Sequence, residues 1–418
     1  MTATPSKRVL VVGTGISGLA TATRLHRAGW TPVLVERAPA RRSGGYFVAL
    51  FGTGQIAARR LGILDSMHDR AGTVQHLDID RNGGHRDGMS FADVPGKPWM
   101  MLRGDAERAA FDALPSDVEI HYSTVPTEIV QDPDGVDVTL LDTAAGSTRT
   151  ERFDLVVGAD GLRSTVRSLV FGPHEDHLHR LNFMIGAFEY AGTPPGLAPG
   201  QGATLLEPGR SMWVFAFRDH DPTILLSYRT DDVDAEFTRP PAQSIRAAFG
   251  PRPLGRTLGD VVDAAGAADR LLFDSVEQVH LDTWHRGRVV LVGDSAWCVT
   301  LYAGMGVSAG FAGADLLGAV LERHADDVPR ALAEWEALLR PYVDRYQRSA
   351  FQQRKIFVVD NRREVLLRRT MPKLARFEAG RRLAERMMPR DDAAARNNDD
   401  IVGETLGEPA PQEEKPVG

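Results

Sequence analysis

Three glycines, Gly13, Gly15 and Gly18, leave a stretch of bare backbone that a phosphate could approach closely, and a carboxylate, Glu36, follows at the distance of one helix and one strand. Glycine at these positions removes the Cβ atoms that would block an anion, and a helix opening there aims its first N–H groups at the same point. A carboxylate at the end of the next strand accepts from ribose hydroxyls. Glu36 in place of an arginine favours a 2′-hydroxyl over a 2′-phosphate, as in the adenosine half of FAD or NAD. The chemistry offered is that of a dinucleotide cradle, with Ile16, Ser17 and Arg37 beside it.

Two further clusters lie far along the chain. An apolar run ends in Ala-Asp160-Gly161, with Ser164 and Arg167 at short offsets, and Gly293-Asp294-Ser-Ala-Trp297 is followed by Gly304-Met305-Gly306-Val307. Taken singly, Asp160-Gly161 also fits an ordinary turn and Asp294 a helix cap. The glycines at 304 and 306 suit a helix start whose amides and positive dipole end can lie against a flat ring.

The elements that must position these residues can be read from periodicity. Residues 9–12 form a buried parallel strand, 13–18 a turn, 19–25 a helix ended by Gly29, and 32–36 the second strand. A strand, a turn and a short amphipathic helix fill roughly 45–70, a hairpin turns around Asn82-Gly-Gly, and Asp132-Pro-Asp-Gly135 joins two half-exposed strands. Residues 180–275 are β-rich with Gly/Pro turns, and 289–292 return to the parallel-strand pattern. The fold class is therefore α/β. A Rossmann-like dinucleotide-binding domain (1–72, 100–178, 278–325), which the resemblance given below makes an FAD-binding domain, is interrupted by a mostly antiparallel β-sheet substrate domain (73–99, 179–277). C-terminal helices (326–388) and a disordered acidic tail (389–418) follow. Leu332, Trp335, Leu338, Leu339, Tyr342 and Tyr346 recur at helical steps and predict a helix across the domain seam.

Together, and in this order, the three clusters resemble the group A flavoprotein monooxygenases of the para-hydroxybenzoate hydroxylase type, over roughly residues 7–325. The short form is implied, because no thioredoxin-like domain follows the helices. The resemblance implies FAD held by Gly13, Gly15, Gly18, Glu36, Asp160, Gly161, Ser164 and Arg167. It places Asp294 on the ribityl hydroxyls, Gly304, Met305, Gly306 and Val307 against the flavin, and Arg103 on the cofactor side. NADH or NADPH would reduce the flavin, and O2 would then give a C4a-hydroperoxide that oxygenates an aromatic or polycyclic small molecule. The cofactor carries the chemistry, so no catalytic side chain and no Ser-His-Asp set is expected. His121 and His285 fall to packing or surface.

This chain departs from the family pattern at Trp297, where most members have His, and at Thr300-Leu301, where they have Pro-Pro. Ala106 stands where many place leucine. A flavin dehydrogenase or reductase is the second reading, and a non-redox FAD-scaffolded cyclase the third. Candidate substrate walls are Phe47, Ala49, Trp213, Phe215, Phe217, Trp297, Leu301, Tyr302 and Met305; Trp297 equally fits a core. Arg41 and Arg42 either meet nicotinamide phosphates or are solvated loop charges.

Composition bounds the rest. The 418 residues carry a net charge of −7, which argues against a nucleic-acid partner. One cysteine, Cys298, leaves no intrachain disulfide and no zinc cluster, consistent with a cytoplasmic setting and no metal. No run approaches the roughly 20 apolar residues of a membrane span. The basic stretch 362–390 reads as a helix packed on its own protein or, alternatively, on a membrane surface. Oligomeric state is not encoded in any motif.

Overall fold

The computed structural model describes residues 7–41, 44–88, 98–374 and 398–407. At its centre a six-stranded sheet runs in the order His285–Arg286, Val289–Leu291, Leu155–Gly158, Arg8–Val12, Thr31–Val35 and Glu119–His121. All neighbours are parallel except the His285–Arg286 edge. Its inner strands are unbroken apolar runs, as a sheet covered on both faces requires.

Strand order reverses between Arg8–Val12 and Leu155–Gly158, so the crevice beyond their carboxyl ends is where an open α/β sheet takes a ligand. Helix Ile16–Arg27 covers one side, with helix Gly306–Arg323 packed on it. The two helices approach closely because their contacts are small: a Cβ on Gly310 would sit 2.5 Å from Ser17 Oγ.

A second, seven-stranded sheet is ordered Leu272–Val279, Leu178–Glu189, Thr223–Arg229, Arg210–Phe215, Gln201–Glu207, Gln75–Ile79 and His85–Asp87. Its pairs are antiparallel except that between Gln201–Glu207 and Gln75–Ile79. Met212 and Val214 pack toward helices Pro241–Phe249 and Arg256–Ala267, while Trp213 and Phe215 pack on the opposite face with Phe183, Ile185 and Leu225. That second face looks toward the crevice. A three-stranded meander, Thr124–Gln131, Val136–Asp142 and Ser147–Phe153, lies beside the first sheet.

Helix Val328–Phe357 joins the two halves. Its early residues Leu332, Trp335 and Leu339 are buried with the first sheet, and Phe357 at its far end is buried with the second. Helix Arg362–Leu374 then turns back, and Arg368 lies over the Trp213 ring at 5.3 Å, so this part of the basic stretch packs on its own protein. The remainder of that stretch, 375–390, lies outside the described residues.

One expectation is corrected here. Within the tail expected to be disordered, residues 401–406 form a short helix, with Ile401 and Val402 buried in the main core. Arg60 pairs with Asp400 at 3.1 Å, Tyr342 donates to Glu404 at 2.8 Å, and Arg345 pairs with Asp399. Two apolar side chains and three anchored acids outweigh the polar composition around them.

Candidate functional site

The Gly-rich turn is held by constraints that few residues satisfy. Gly13 has φ of +104°, and a Cβ there would fall 2.5 Å from Ala159 O, where the second cluster begins. The two strand ends are thus pressed together, with Ala159 N donating to Val12 O at 2.8 Å. Helix Ile16–Arg27 starts at Gly15 with no side-chain cap and no acid in its first turn, leaving its first amides for an anion. Glu36 accepts from Thr14 N at 3.0 Å and Ala38 N at 2.8 Å, which fixes its carboxylate at the strand end.

Asp160 turns the other way. Its carboxylate accepts from Ser164 Oγ at 2.5 Å and Thr165 N at 2.6 Å, so it braces helix Thr165–Val170 while lining the cavity. Burial pushes its pKa up, against those hydrogen bonds. Arg167 is fully buried and donates to Leu162 O at 2.6 Å and Ser295 O at 2.9 Å. It ties the Asp160 turn to the Asp294 turn from beneath.

Asp294 opens into the cavity from the short helix Asp294–Trp297. Burial pushes its carboxyl upward, with Arg103 pulling against it. Arg103 itself donates to Glu107 at 2.8 Å, and its Nη2 would lie 3.7 Å from a Cβ on Gly15, beside the turn. Helix Gly306–Arg323 points its uncapped, acid-free first turn at the same space. Its Gly306 comes within 4.0 Å of Asp294 Oδ1, measured from a Cβ placed there.

Glu36, Arg103, Asp160, Asp294 and the starts of both long helices border one cavity of about 1330 Å³. A single small-molecule pocket spans roughly 300–1,000 Å³, so there is space for a dinucleotide and a second molecule together. The wall continues from Gly13, Gly15, Ile16, Ser17, Glu36, Arg37, Asp160, Gly161, Gly304 and Val307 to Phe47, Ala49, Phe215 and Leu301 on the sheet side. Phe47 stacks on Phe215 at 4.1 Å and 7°.

Several predicted residues stand behind the wall. Gly18, Ser164, Arg167, Gly293 and Met305 support it without lining it. Trp297 is not on the substrate side: it packs between Trp284 at 4.8 Å and Trp335 at 5.8 Å and is fully buried. Trp213 lies one ring deeper than Phe215, its indole N–H donating to Phe357 O at 3.2 Å. Tyr302 bonds Ser227 at 2.9 Å, and Phe217 is buried beside Phe47. Arg41 borders the cavity over the Phe111 ring at 5.0 Å; Arg42 lies outside the described residues.

Other wall residues were not anticipated. Tyr46, Cys298 and Thr300 line the cavity, as do Asp274 and Glu277 of the sheet edge. Cys298 was legible as the sole thiol inside the third cluster; burial holds it well above the usual thiol range. Thr300 has φ of +72°, a conformation that strains a β-branched residue and that proline cannot reach, at the position where the family pattern has Pro.

An FAD binding domain model matches residues 6–183, the part that carries the first two clusters. A flavin-dependent monooxygenase of Legionella longbeachae serogroup 1 (strain NSW150) is 28% identical over 350 residues, covering 82% of this chain and 87% of its own. The chain is similar to flavin-dependent monooxygenases over most of its length. Among solved structures, the tetracycline destructase Tet(51) is 25% identical to this chain with a TM-score of 0.75, covering 94% of this chain and 98% of that one. Klebsiella pneumoniae HpxO, solved with FAD and uric acid, shares the fold at a TM-score of 0.68 and 21% identity, covering 93% and 96%. The nucleotide end of the cavity fits FAD: bare amides at two helix starts, a fixed carboxylate at a strand end, and a guanidinium beside the turn.

Proposed function

We propose that this monooxygenase uses NADH or NADPH and O2 to hydroxylate an aromatic or polycyclic small molecule. The observation that carries the reading is the single cavity with a dinucleotide cradle at one end and a stacked aromatic wall at the other. Gly13, Gly15, Ile16 and Ser17 would offer amides to the pyrophosphate, Glu36 the ribose, Asp294 the ribityl chain, and Gly304 to Val307 the ring. Arg103 supplies positive charge beside the turn, and Asp160 and Gly161 shape the crevice. Bound FAD would supply the electron transfer and the oxygen activation.

The chain's own part is placement and exclusion of water. Phe47, Phe215, Ile185 and Leu225 present an apolar face against which a flat substrate can stack. The dehydrogenase reading drew on Trp297 and Leu301, and Trp297 now belongs to the core. The test is NAD(P)H and O2 consumption by the FAD-loaded protein, with labelled O2 and a panel of polycyclic phenols. Substrate-stimulated consumption with label in the product supports the reading; substrate oxidation without label would replace it with the dehydrogenase.

A further inference from the structure

Three acceptors hold the buried Arg167 guanidinium, which ties the Asp160 turn to the Asp294 turn. Two are backbone carbonyls, Leu162 O at 2.6 Å and Ser295 O at 2.9 Å, and they accept at any pH. The third is a histidine: Arg167 Nη2 lies 3.1 Å from Nδ1 of His174. An arginine carries donors only, so Nδ1 must present its lone pair and the ring must be neutral, with its proton on Nε2. A protonated ring donates from both nitrogens and can only repel a guanidinium.

Local sequence puts the ring there. After helix Thr165–Val170, Gly172 turns the chain with φ of +125° and Pro173 leads into the short turn His174–Asp176. The imidazole comes back over the helix, with Ser168 Oγ 3.2 Å from both ring nitrogens. Among the described residues, charged groups act on it from each side: Arg167 from the helix, Asp160 and Arg163 from the turn before it, and Glu175 from its own turn. Burial and then Arg167 hold its pKa below the ordinary histidine value, with Glu175 pulling the other way. Arg167 has no spare contact to fall back on, because its Nε is already buried without a partner.

We propose that His174 is a positioning residue for the two cofactor turns. Neutral, it keeps Arg167 on Leu162 O and Ser295 O; protonated, it drives the guanidinium off them, the Asp160 and Asp294 turns loosen, and FAD is held less tightly. Cofactor retention becomes sensitive to acid through a side chain that does not line the cavity. With the folded pKa below the unfolded one, the stabilisation is present above the ordinary histidine value of about 6.5 and is lost as pH falls from there through the folded value. This rests on the reading that the cavity holds FAD.

The test measures FAD affinity, from the change in flavin fluorescence on binding, between about pH 8 and about pH 4.5 in wild type, His174→Asn and His174→Ala. Asparagine keeps an acceptor near the place of Nδ1 and does not titrate. His174→Asn should therefore match wild type within about 2-fold at the alkaline end and bind FAD at least about 5-fold more tightly than wild type at the acid end. His174→Ala, which lacks the acceptor at every pH, should be about 2- to 12-fold weaker than His174→Asn throughout. Melting of the three apoproteins should follow the same order. Parallel wild-type and His174→Asn profiles would overturn the proposal, since a pH dependence they share belongs to other groups such as Asp160 and Asp294. Equal affinities in His174→Ala and His174→Asn would overturn it too, by showing that the lone pair is not what holds Arg167. A wild type that takes no FAD at any pH sinks the cofactor reading itself, and the melting order still reports on the His174 contact.

Discussion

At its nucleotide end the cavity is shaped by backbone, with Gly13 against Ala159 and two uncapped helix starts aimed inward. At its sheet end it is shaped by side chains, with Phe47 stacked on Phe215 and Trp213 behind them. Backbone contacts at van der Waals distance tolerate no added atom, whereas a face of apolar side chains can repack around a change of similar volume. The first end can therefore serve one cofactor across a family while the second adapts to different substrates.

The contrast breaks most sharply at Gly13. Valine there must hold φ near +104° and place its Cβ 2.5 Å from Ala159 O. Backbone strain alone is of order 1–3 kcal/mol, before the collision is added. Gly13→Val should lose bound FAD, read as flavin absorbance per protein after gel filtration. Phe215→Leu should keep FAD and alter only substrate affinity. If Gly13→Val retained FAD as well as Phe215→Leu does, the distinction between the two ends would be wrong.

Next in size is Arg167, which touches neither end but joins the Asp160 and Asp294 turns through Leu162 O and Ser295 O. Burial pushes its guanidinium pKa down, so the charge is retained at a cost that the carbonyl contacts offset. Arg167→Met should lower stability by about 3 kcal/mol, since both carbonyls lose a charged donor inside the protein. Urea unfolding of the apoprotein measures this. A change under about 0.5 kcal/mol would show the strut to be dispensable.

Asp294 sharpens the comparison through pH. Its folded pKa is raised, so the folded apoprotein holds that proton more tightly than the unfolded chain does. The resulting stabilisation is fully present below the ordinary carboxylate range and is lost as pH rises from there through the raised folded pKa. Asp294→Asn should thus match wild-type melting near pH 3 and exceed it at pH 7, while binding FAD about tenfold more weakly through loss of a charged acceptor. Because the carboxylate opens to the cavity, water reduces the gain in melting. Equal melting curves at both pH values would contradict the raised pKa.

How much was legible in the sequence follows the same division. Gly13, Asp160 and Asp294 could be found because backbone geometry and carboxylate chemistry dictate residue type at fixed spacing, and the spacing survives in a linear string. Trp213, Phe215 and Phe217 alternate correctly, but alternation reports a face and not which ring lies outermost. Only packing places Phe215 on the cavity and Trp213 behind it. Trp297 sits inside a binding motif yet belongs to a trio with Trp284 and Trp335, partners 13 and 38 residues away that no local pattern connects. Tyr46 carried no periodic signal at all. Ile401 and Val402 were hidden by the acidic composition around them, because an average over thirty residues conceals one buried turn.

The smallest effect lies where the two ends meet. Thr300 holds φ of +72° on the cavity wall, and its buried Oγ1 has no hydrogen-bond partner. A left-handed conformation costs a non-glycine residue roughly 1–2 kcal/mol, and glycine returns about 0.5–1 kcal/mol of that through its larger unfolded-state entropy. Thr300→Gly should therefore raise stability by no more than about 1 kcal/mol, while Thr300→Pro, with φ locked near −65°, should destabilise the segment and loosen FAD. If Thr300→Pro were instead as stable as wild type and bound FAD equally well, the segment would have two accessible backbone paths. The strain would then say nothing about how the nucleotide end is joined to the sheet. Should proline fail and glycine succeed, the wall between the two ends is set by backbone, and the intolerance of the nucleotide end extends as far as Thr300.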